Sequence, residues 1–167
     1  MRASLLAGGL SWLWPVRPRA QEPPGLMDFA AGALARLITT TRERAIAAGV
    51  RPVPPGMQRA LLGFFPASLL QRVRYRVVGP EDGLFLPQLA FDHAHADAMT
   101  LGDVVLFRHE HMAMADPVLW AHELTHVMQY QRWGTDGFAA RYVRDATGVE
   151  REARENAERF RRWQAGR

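Results

Sequence analysis

The pattern of apolar positions divides the chain into two helical parts with a short stretch of strand periodicity between them. From Leu26 to Val50 the sequence is rich in Ala, Leu and Arg, and its apolar residues recur at helical spacing as far as Gly49. The proline-rich stretch 52–56 breaks this helix. Helical periodicity resumes over Gln58–Leu70, with an interruption at Pro66. We therefore predict one long helix followed by an interrupted helical stretch.

Between residues 72 and 108 the period changes to that of β-strands. Val73, Tyr75 and Val77 alternate with arginines, a pattern that predicts a half-buried strand. A turn signal rich in Gly, Pro and acidic residues follows at 79–83. This part of the chain is therefore expected to form a small sheet.

Residues 84–91 and Asp103–Phe107 are two further strand candidates, and the pattern is helical again after Met112. The order is thus helices, a small sheet and then helices. This order predicts an α+β fold with a mostly antiparallel sheet. We expect residues 26–167 to form a single domain.

The first twenty residues combine Arg2 with an apolar stretch from Ala3 to Val16. The stretch is too short to span a bilayer and has the length of a secretory signal. We therefore expect residues 1–20 to be a signal peptide, residues 21–25 to be a linker, and the protein to be exported to the periplasm or the extracellular space. The alternative is a frayed apolar start or a misassigned start codon, and a cytoplasmic location would then be expected. No stable membrane span is expected in either case.

Composition excludes several kinds of chemistry. The chain has no cysteine, and all 21 of its basic residues are arginine. A disulfide framework, a cysteine metal cluster, a thiol nucleophile and a Schiff-base lysine are therefore excluded. The net charge is +4, but without residues 1–20 only 18 arginines face 17 acidic residues, and many of them alternate along the last helix. This alternation is typical of a solvated helix face, so we expect no nucleic-acid partner.

All six histidines lie between His93 and His126, and the last two belong to the H-E-x-x-H sequence 122–126. On a helix, a four-residue step places two imidazoles on one face, where they can share a metal ion. Asp116 suits the N-cap of such a helix, Pro117 its first position and Gly134 its end. Apolar residues surround most of this helix, so it should be buried and its polar residues need partners. A divalent ion would supply one, and core histidines bonded to backbone carbonyls are the alternative.

A catalytic zinc site has three protein ligands and one open position, so a third ligand is needed. Glu150 and Glu152 in the last predicted helix are candidates. They lie two residues apart, about 200° round a helix axis, so only one of them can face the site.

The sequence from His122 to Tyr130, followed by Glu150-Arg151-Glu152-Ala153, resembles a zincin-like bacterial family, the extracellular contractile injection system core domain. It is more distantly similar to the gluzincin peptidases, whose third ligand is the first Glu of an E-x-E-A type motif on a later helix. The stretch Thr100–Phe107, taken as one strand, also resembles the family. The resemblance implies that His122, His126 and Glu150 bind the metal.

Two features complicate this assignment. Gluzincins usually have an Asp four residues after the ligand Glu, which supports a histidine, but Arg154 stands at that position here. The sequence Thr147-x-x-Glu150 is also a capping box, in which the glutamate bonds back to the N-terminus of its own helix. One carboxylate cannot serve both uses. We favour Glu150 as a ligand because the histidine pair otherwise lacks a third partner.

These residues together predict a metallopeptidase. Zn²⁺ held by His122, His126 and Glu150 would activate water and polarise a carbonyl, and Glu123 would take the proton as general base. The substrate would be a peptide or protein. The alternative is a non-catalytic zinc-binding interaction or structural module associated with secretion or injection systems. His₂Glu sites also accept other divalent ions, so metal identity is left open, as is the oligomeric state.

Further residues are candidates for secondary roles. An exposed edge of the strand Asp103–Phe107 is expected to pair with an extended peptide. Tyr130 and Tyr142 are candidates for stabilising an oxyanion. For the other four histidines we favour a solvated surface position, because no motif places them in the site. The alternative is that one of them lines the cleft and stabilises an oxyanion. Those four are His93, His95, His109 and His111.

Overall fold

The structure, a computed structural model, describes residues 25–79, 82–84, 86–87, 91 and 96–167. The expected signal peptide over residues 1–20 lies outside the described residues, and so do His93 and His95. Most of the expected linker 21–25 also lies outside them.

Nine helices and strands are defined within the described residues. They are α1 (Leu26–Ala47), β1 (Arg51–Pro52), α2 (Pro55–Leu61), α3 (Ala67–Arg72), β2 (Arg74–Val77), β3 (Ala98–Leu101), β4 (Val104–Phe107), α4 (Glu110–Ala115) and α5 (Pro117–Ala165).

Helix α5 is interrupted at two residues whose backbone is not helical. Gly134 adopts φ 69° and ψ 173°, and Asp145 adopts φ −153° and ψ 69°. We call the three helical segments that result α5a (117–133), α5b (135–144) and α5c (146–165). Glycine tolerates a positive φ, so the end predicted at Gly134 is confirmed as a break in the helix.

The four strands form one mixed sheet in the order β1-β2-β4-β3. Strands β1 and β2 are antiparallel, as are β3 and β4, whereas β2 and β4 are parallel. Two of the three pairings are therefore antiparallel, and the predicted α+β class is confirmed.

Two strand predictions are wrong. Residues 84–91 do not supply a strand among their described members, because Leu86, Pro87 and Phe91 are helical. Pro87 has no N–H to give to a strand ladder, which disfavours a strand there. The stretch Thr100–Phe107 is not one strand but the end of β3, a turn and β4, because Gly102 reverses the chain with φ 67°.

Strand β4 lies at the centre of the fold, and all four of its residues are buried. Val105 and Phe107 pack into one apolar cluster with residues of α2, α3, α5a and α5c, including Trp120 and Phe160. Val104 and Leu106 point to the other face, where the second cluster includes residues of α1. The sheet therefore packs against α1 on one face and against Trp120 of α5a on the other.

Helix α1 is tied to the β3–β4 turn as well as packed on the core. The Arg42 guanidinium donates two hydrogen bonds to one carboxylate oxygen of Asp103, at 2.8 and 2.6 Å. Within the described part of the chain, no helix is both long and apolar enough to cross a membrane.

Candidate metal centre

Segment α5a, which carries the H-E-x-x-H sequence, begins as predicted. The Asp116 carboxylate accepts a hydrogen bond of 2.8 Å from the Leu119 N–H, and Pro117 occupies the first helical position. Trp120 is fully buried, and its indole N–H donates to the Ala113 carbonyl at 2.8 Å. The predicted cap is therefore confirmed, and the buried Trp120 side chain anchors the start of the segment in the core.

Three side chains converge where α5a meets α5c. The Nε2 atoms of His122 and His126 are 3.1 Å apart. The Glu150 carboxylate lies 3.3 Å from Nε2 of His122 and 3.6 Å from Nε2 of His126. The structure therefore brings the three predicted ligands into one cluster, of which His126 is the most buried.

The spacing of this cluster fits a divalent ion. Ligand atoms about 2.0–2.1 Å from a tetrahedral zinc ion lie about 3.3 Å from one another, close to all three separations in the cluster. Two imidazole nitrogens whose lone pairs face each other also repel, unless a proton or a cation lies between them. Two neutral nitrogens and one carboxylate are a donor set that zinc prefers.

Glu150 reaches the histidines because another residue caps its helix. The Asp145 carboxylate accepts a hydrogen bond of 2.8 Å from the Gly148 N–H at the start of α5c. A side chain at Gly148 would overlap this carboxylate, so only glycine permits the contact. Asp145, rather than Thr147, is therefore the capping residue, and the Glu150 carboxylate is free to turn toward the imidazoles.

Glu152, the other candidate ligand, lies outside the cluster. Its carboxylate accepts a hydrogen bond of 2.6 Å from Arg132 and one of 3.0 Å from the Gln129 amide. The choice of Glu150 over Glu152 therefore agrees with the geometry. The role of Glu150 as a ligand stays a prediction.

Charges within the cluster shift the pKa values of two of its members. Burial alone would lower the pKa of His126, but the adjacent Glu150 carboxylate and the nearby negative charge of Glu123 raise that pKa above its ordinary value of 6.5. Burial alone would raise the pKa of Glu150, but the two adjacent imidazoles hold that pKa well below its ordinary range. Without a metal, attraction between the Glu150 carboxylate and a protonated His126 therefore stabilises the cluster.

Gln129 is a site residue that sequence reasoning missed. It is fully buried one turn after His126, and its side-chain oxygen lies 2.8 Å from Nδ1 of His126. Arg154, which stands where gluzincins have an Asp, is exposed and forms no hydrogen bond or ion pair within the described residues. The sequence signal that could have identified Gln129 is an amide side chain within a helix predicted to be buried, because a buried amide needs hydrogen-bond partners.

Glu123, the predicted general base, is 3% exposed and lies beside the cluster. Its Oε2 accepts a hydrogen bond of 2.7 Å from the Thr100 hydroxyl on β3. Its Oε1 forms no hydrogen bond within the described part of the chain. Glu123 is therefore anchored through one oxygen, and the other is available. Its catalytic role stays a prediction.

A cleft of about 840 Å³ opens over the cluster, and its lining includes Glu123, Met99 and Ile38 of α1. The strand beside the cleft is β3. The prediction that the strand 103–107 offers a docking edge is wrong, because this strand is β4 and lies between β2 and β3. The Arg108 N–H donates to the Asp97 carbonyl, so the backbone groups of Asp97 face β4. In an antiparallel pair the backbone groups of successive residues point alternately toward and away from the neighbouring strand, so the N–H and C=O groups of Ala98 and Thr100 point away from β4.

The two tyrosines considered for oxyanion stabilisation both line the cleft. The Tyr142 hydroxyl donates to Glu150 at 3.3 Å, and burial together with that carboxylate raises the pKa of Tyr142 to about 12. The Tyr130 hydroxyl donates to the Thr100 carbonyl at 3.4 Å, and burial raises its pKa further. Both hydroxyls therefore remain protonated donors at neutral pH.

The two other described histidines lie away from the cluster. His109 and His111 are exposed, and their rings stack on each other with 5.6 Å between centroids. Neither lines the cleft. The surface position expected for these two residues is confirmed.

Comparison with known proteins matches one part of the chain to a family. Residues 52–134 match the family model described as the eCIS core domain. The matched range contains the sheet and α5a, with both histidines of the cluster, but not α1 or Glu150. No curated protein and no solved structure matches the chain.

Proposed function

We propose that the chain is a zinc-dependent peptidase of an injection-system module, because residues 52–134 match the eCIS core domain and because two imidazoles lie against a carboxylate from α5c. One observation carries this proposal. The cluster of His122, His126 and Glu150 lies in an open cleft beside the buried carboxylate of Glu123. This is the juxtaposition of a metal site and a proton acceptor that metal-assisted hydrolysis needs.

Each residue has a distinct task in the proposed reaction. His122 and His126 through Nε2, and Glu150 through its carboxylate, would hold the ion. When bound, zinc supplies Lewis-acid chemistry, which polarises a peptide carbonyl and lowers the pKa of water. Glu123 accepts the proton of the attacking water at Oε1 and passes it to the leaving amine. Thr100 keeps the other oxygen of Glu123 in place through its 2.7 Å hydrogen bond.

The edge of β3 supports an extended peptide as the substrate. The outward N–H and C=O groups of Ala98 and the outward N–H of Thr100 lie along the cleft, so a substrate backbone can add to the sheet by strand pairing. Apolar side chains from α1, β3 and α5b also line the cleft and would receive substrate side chains. We therefore propose a peptide or protein substrate. From the apolar stretch in residues 1–20 we also propose that the protein is exported.

A zinc-binding module without activity is the second candidate. It is favoured by Arg154, which lines the cleft one turn after Glu150 and brings a positive charge close to the site. In this case the metal would hold α5a and α5c together, and the cleft would bind a partner of the injection system without cleaving it.

The two candidates differ in what Glu123→Gln does. The variant should keep zinc, measured by elemental analysis, within about twofold of the unmodified protein, because Glu123 is not among the three ligands. If the protein is a peptidase, its turnover of a quenched fluorescent peptide library should fall by roughly 10²–10⁴-fold. His122→Ala should lose both the metal and turnover.

Zinc bound by the unmodified protein without any turnover would favour the non-catalytic module. If the unmodified protein takes up no zinc, or if His122→Ala retains it, both candidates are wrong.

A further inference from the structure

Gln129 is the only fully buried polar side chain among the described residues. A primary amide can be buried at such a position only if its donors and acceptor are satisfied. Its side-chain NH₂ group donates to the Val149 carbonyl at 3.1 Å and to a carboxylate oxygen of Glu152 at 3.0 Å. Its side-chain oxygen faces Nδ1 of His126 at 2.8 Å. Three bonds therefore bind this amide to two different segments of the chain.

The partners of Gln129 determine which way its amide points. A backbone carbonyl and a carboxylate only accept hydrogen bonds, so the NH₂ group must face Val149 and Glu152. The oxygen is then the atom that faces Nδ1 of His126, and Nδ1 must carry the hydrogen. In a neutral imidazole this leaves Nε2 without a hydrogen and with its lone pair directed at His122 and Glu150.

The same amide also fixes the backbone next to the third member of the cluster. Val149 directly precedes Glu150, so the bond to the Val149 carbonyl holds the turn of α5c that carries the carboxylate. Gln129 thus contacts one imidazole directly and holds the backbone of the facing carboxylate.

From this geometry we propose that Gln129 is a positioning residue that selects the Nδ1–H tautomer of His126 and ties it to the Glu150 turn. The effect on zinc affinity rests on the proposed function, whereas the effect on the tautomer does not, because the hydrogen bond exists without a metal.

Asn156 offers a matched control. It is also a buried amide between α5a and α5c, and it donates to the Thr125 hydroxyl at 2.7 Å. It contacts none of the three residues of the cluster through a hydrogen bond. Loss of Asn156 therefore removes a polar tie between the same two segments without touching His126.

The test compares Gln129→Met, Gln129→Glu and Asn156→Leu with the unmodified protein. Methionine removes the amide at nearly constant volume, and glutamate keeps an acceptor for Nδ1–H but loses the donors to Val149. Proton–nitrogen NMR of the imidazoles in the metal-free protein, at alkaline pH, reports the tautomer. Chelator competition with Zn²⁺ reports the affinity, and urea unfolding shows which variants are folded.

We expect Nδ1–H on His126 in the unmodified protein, in Asn156→Leu and in Gln129→Glu, and a shift to Nε2–H in Gln129→Met. Zinc affinity should fall roughly 10–100-fold in Gln129→Met and less than about threefold in Asn156→Leu. Should Gln129→Met fail to fold, a lost Nδ1–H signal in folded Gln129→Glu would overturn the proposal, and a retained one would support it.

Other outcomes separate the two proposals. An unchanged tautomer and affinity in Gln129→Met would overturn the positioning role while leaving the metal centre in place. An equal loss of affinity in Asn156→Leu would overturn it as well, because the amide would then be a structural tie only. If the unmodified protein binds no zinc but Gln129→Met still changes the tautomer, the proposed function fails and the positioning role is supported.

Discussion

Zinc should change how the stability of the fold depends on pH. In the metal-free protein, the folded-state pKa of His126 is raised above its ordinary value of 6.5. Its contribution to stability is therefore fully present below about pH 6.5 and is lost as the pH rises through the folded pKa. The pKa of Glu150 is lowered, so its contribution is present above its ordinary value of 4.5 and is lost as the pH falls. The cluster thus stabilises the metal-free fold most between these two values.

Zinc changes this dependence because a ligand imidazole carries no proton on Nε2. Below about pH 6.5 the unfolded chain binds a proton on His126 that the zinc-bound fold does not bind, so stability rises with pH there. The slope is about 1.4 kcal/mol per pH unit for each displaced proton at a fixed concentration of free zinc. Above the folded pKa of His126, the stabilisation by zinc becomes independent of this group.

Urea unfolding between about pH 5 and pH 8.5 measures both slopes, once with a chelator and once with buffered free zinc. Free zinc at about one hundred times its Kd adds about 2.7 kcal/mol to the free energy of unfolding, enough to resolve the two series. As a control, the double variant His109→Ala, His111→Ala removes two imidazoles that lie away from the cluster. It should keep the difference between the two series.

The reasoning is refuted if the two series have the same slope below about pH 6.5, where we expect stability to rise with pH only with zinc. It is refuted equally by the same slope between about pH 6.5 and the folded pKa of His126, where we expect stability to fall only without zinc. It is also refuted if the double variant at positions 109 and 111 abolishes the difference. Either result would place the linked protons outside the cluster.

Two further predictions concern single side chains. Glu150→Gln should lower zinc affinity at least about 100-fold in a chelator competition, because the amide supplies no charge, whereas Glu152→Gln should lower it less than about tenfold. The reverse order would contradict the assignment of the third ligand. Thr100→Val should lower the free energy of unfolding by about 1.5–3 kcal/mol in urea, since the buried Glu123 carboxylate loses the 2.7 Å hydrogen bond from the Thr100 hydroxyl. Thr100→Ser should restore it, and an unchanged midpoint in Thr100→Val would show that the bond contributes little.

Features that depend on neighbours in sequence could be predicted from the sequence. The start of α5a follows from the Asp116 side chain and the Pro117 ring, and its break follows from the conformational freedom of Gly134. The two imidazoles share a face because helix geometry alone places residues four apart together. The order of helices and sheet follows from the periodicity of apolar residues in the same way.

Features that depend on contacts between distant residues could not be predicted from the sequence. The stretch 84–91 has the composition of a strand, yet its described residues Leu86, Pro87 and Phe91 are helical. The hydrogen bond between Gln129 and the Val149 carbonyl joins residues twenty positions apart, and no local pattern indicates it. The edge available to a peptide depends on the order of the strands in the sheet. That order places β3 at the edge, where β4 was predicted.

The competition between capping box and metal ligand shows why local sequence alone was insufficient. Thr147 and Glu150 have the spacing of a capping box, and an isolated α5c could form one. In the folded chain, Asp145 departs from helical geometry and accepts the N–H of Gly148 instead. Thr147 then lies inside the helix instead of at its N-cap, so no capping box forms and the Glu150 carboxylate faces the two imidazoles. The break at Asp145 therefore leaves the Glu150 carboxylate available to the cluster that it forms with the two histidines of α5a.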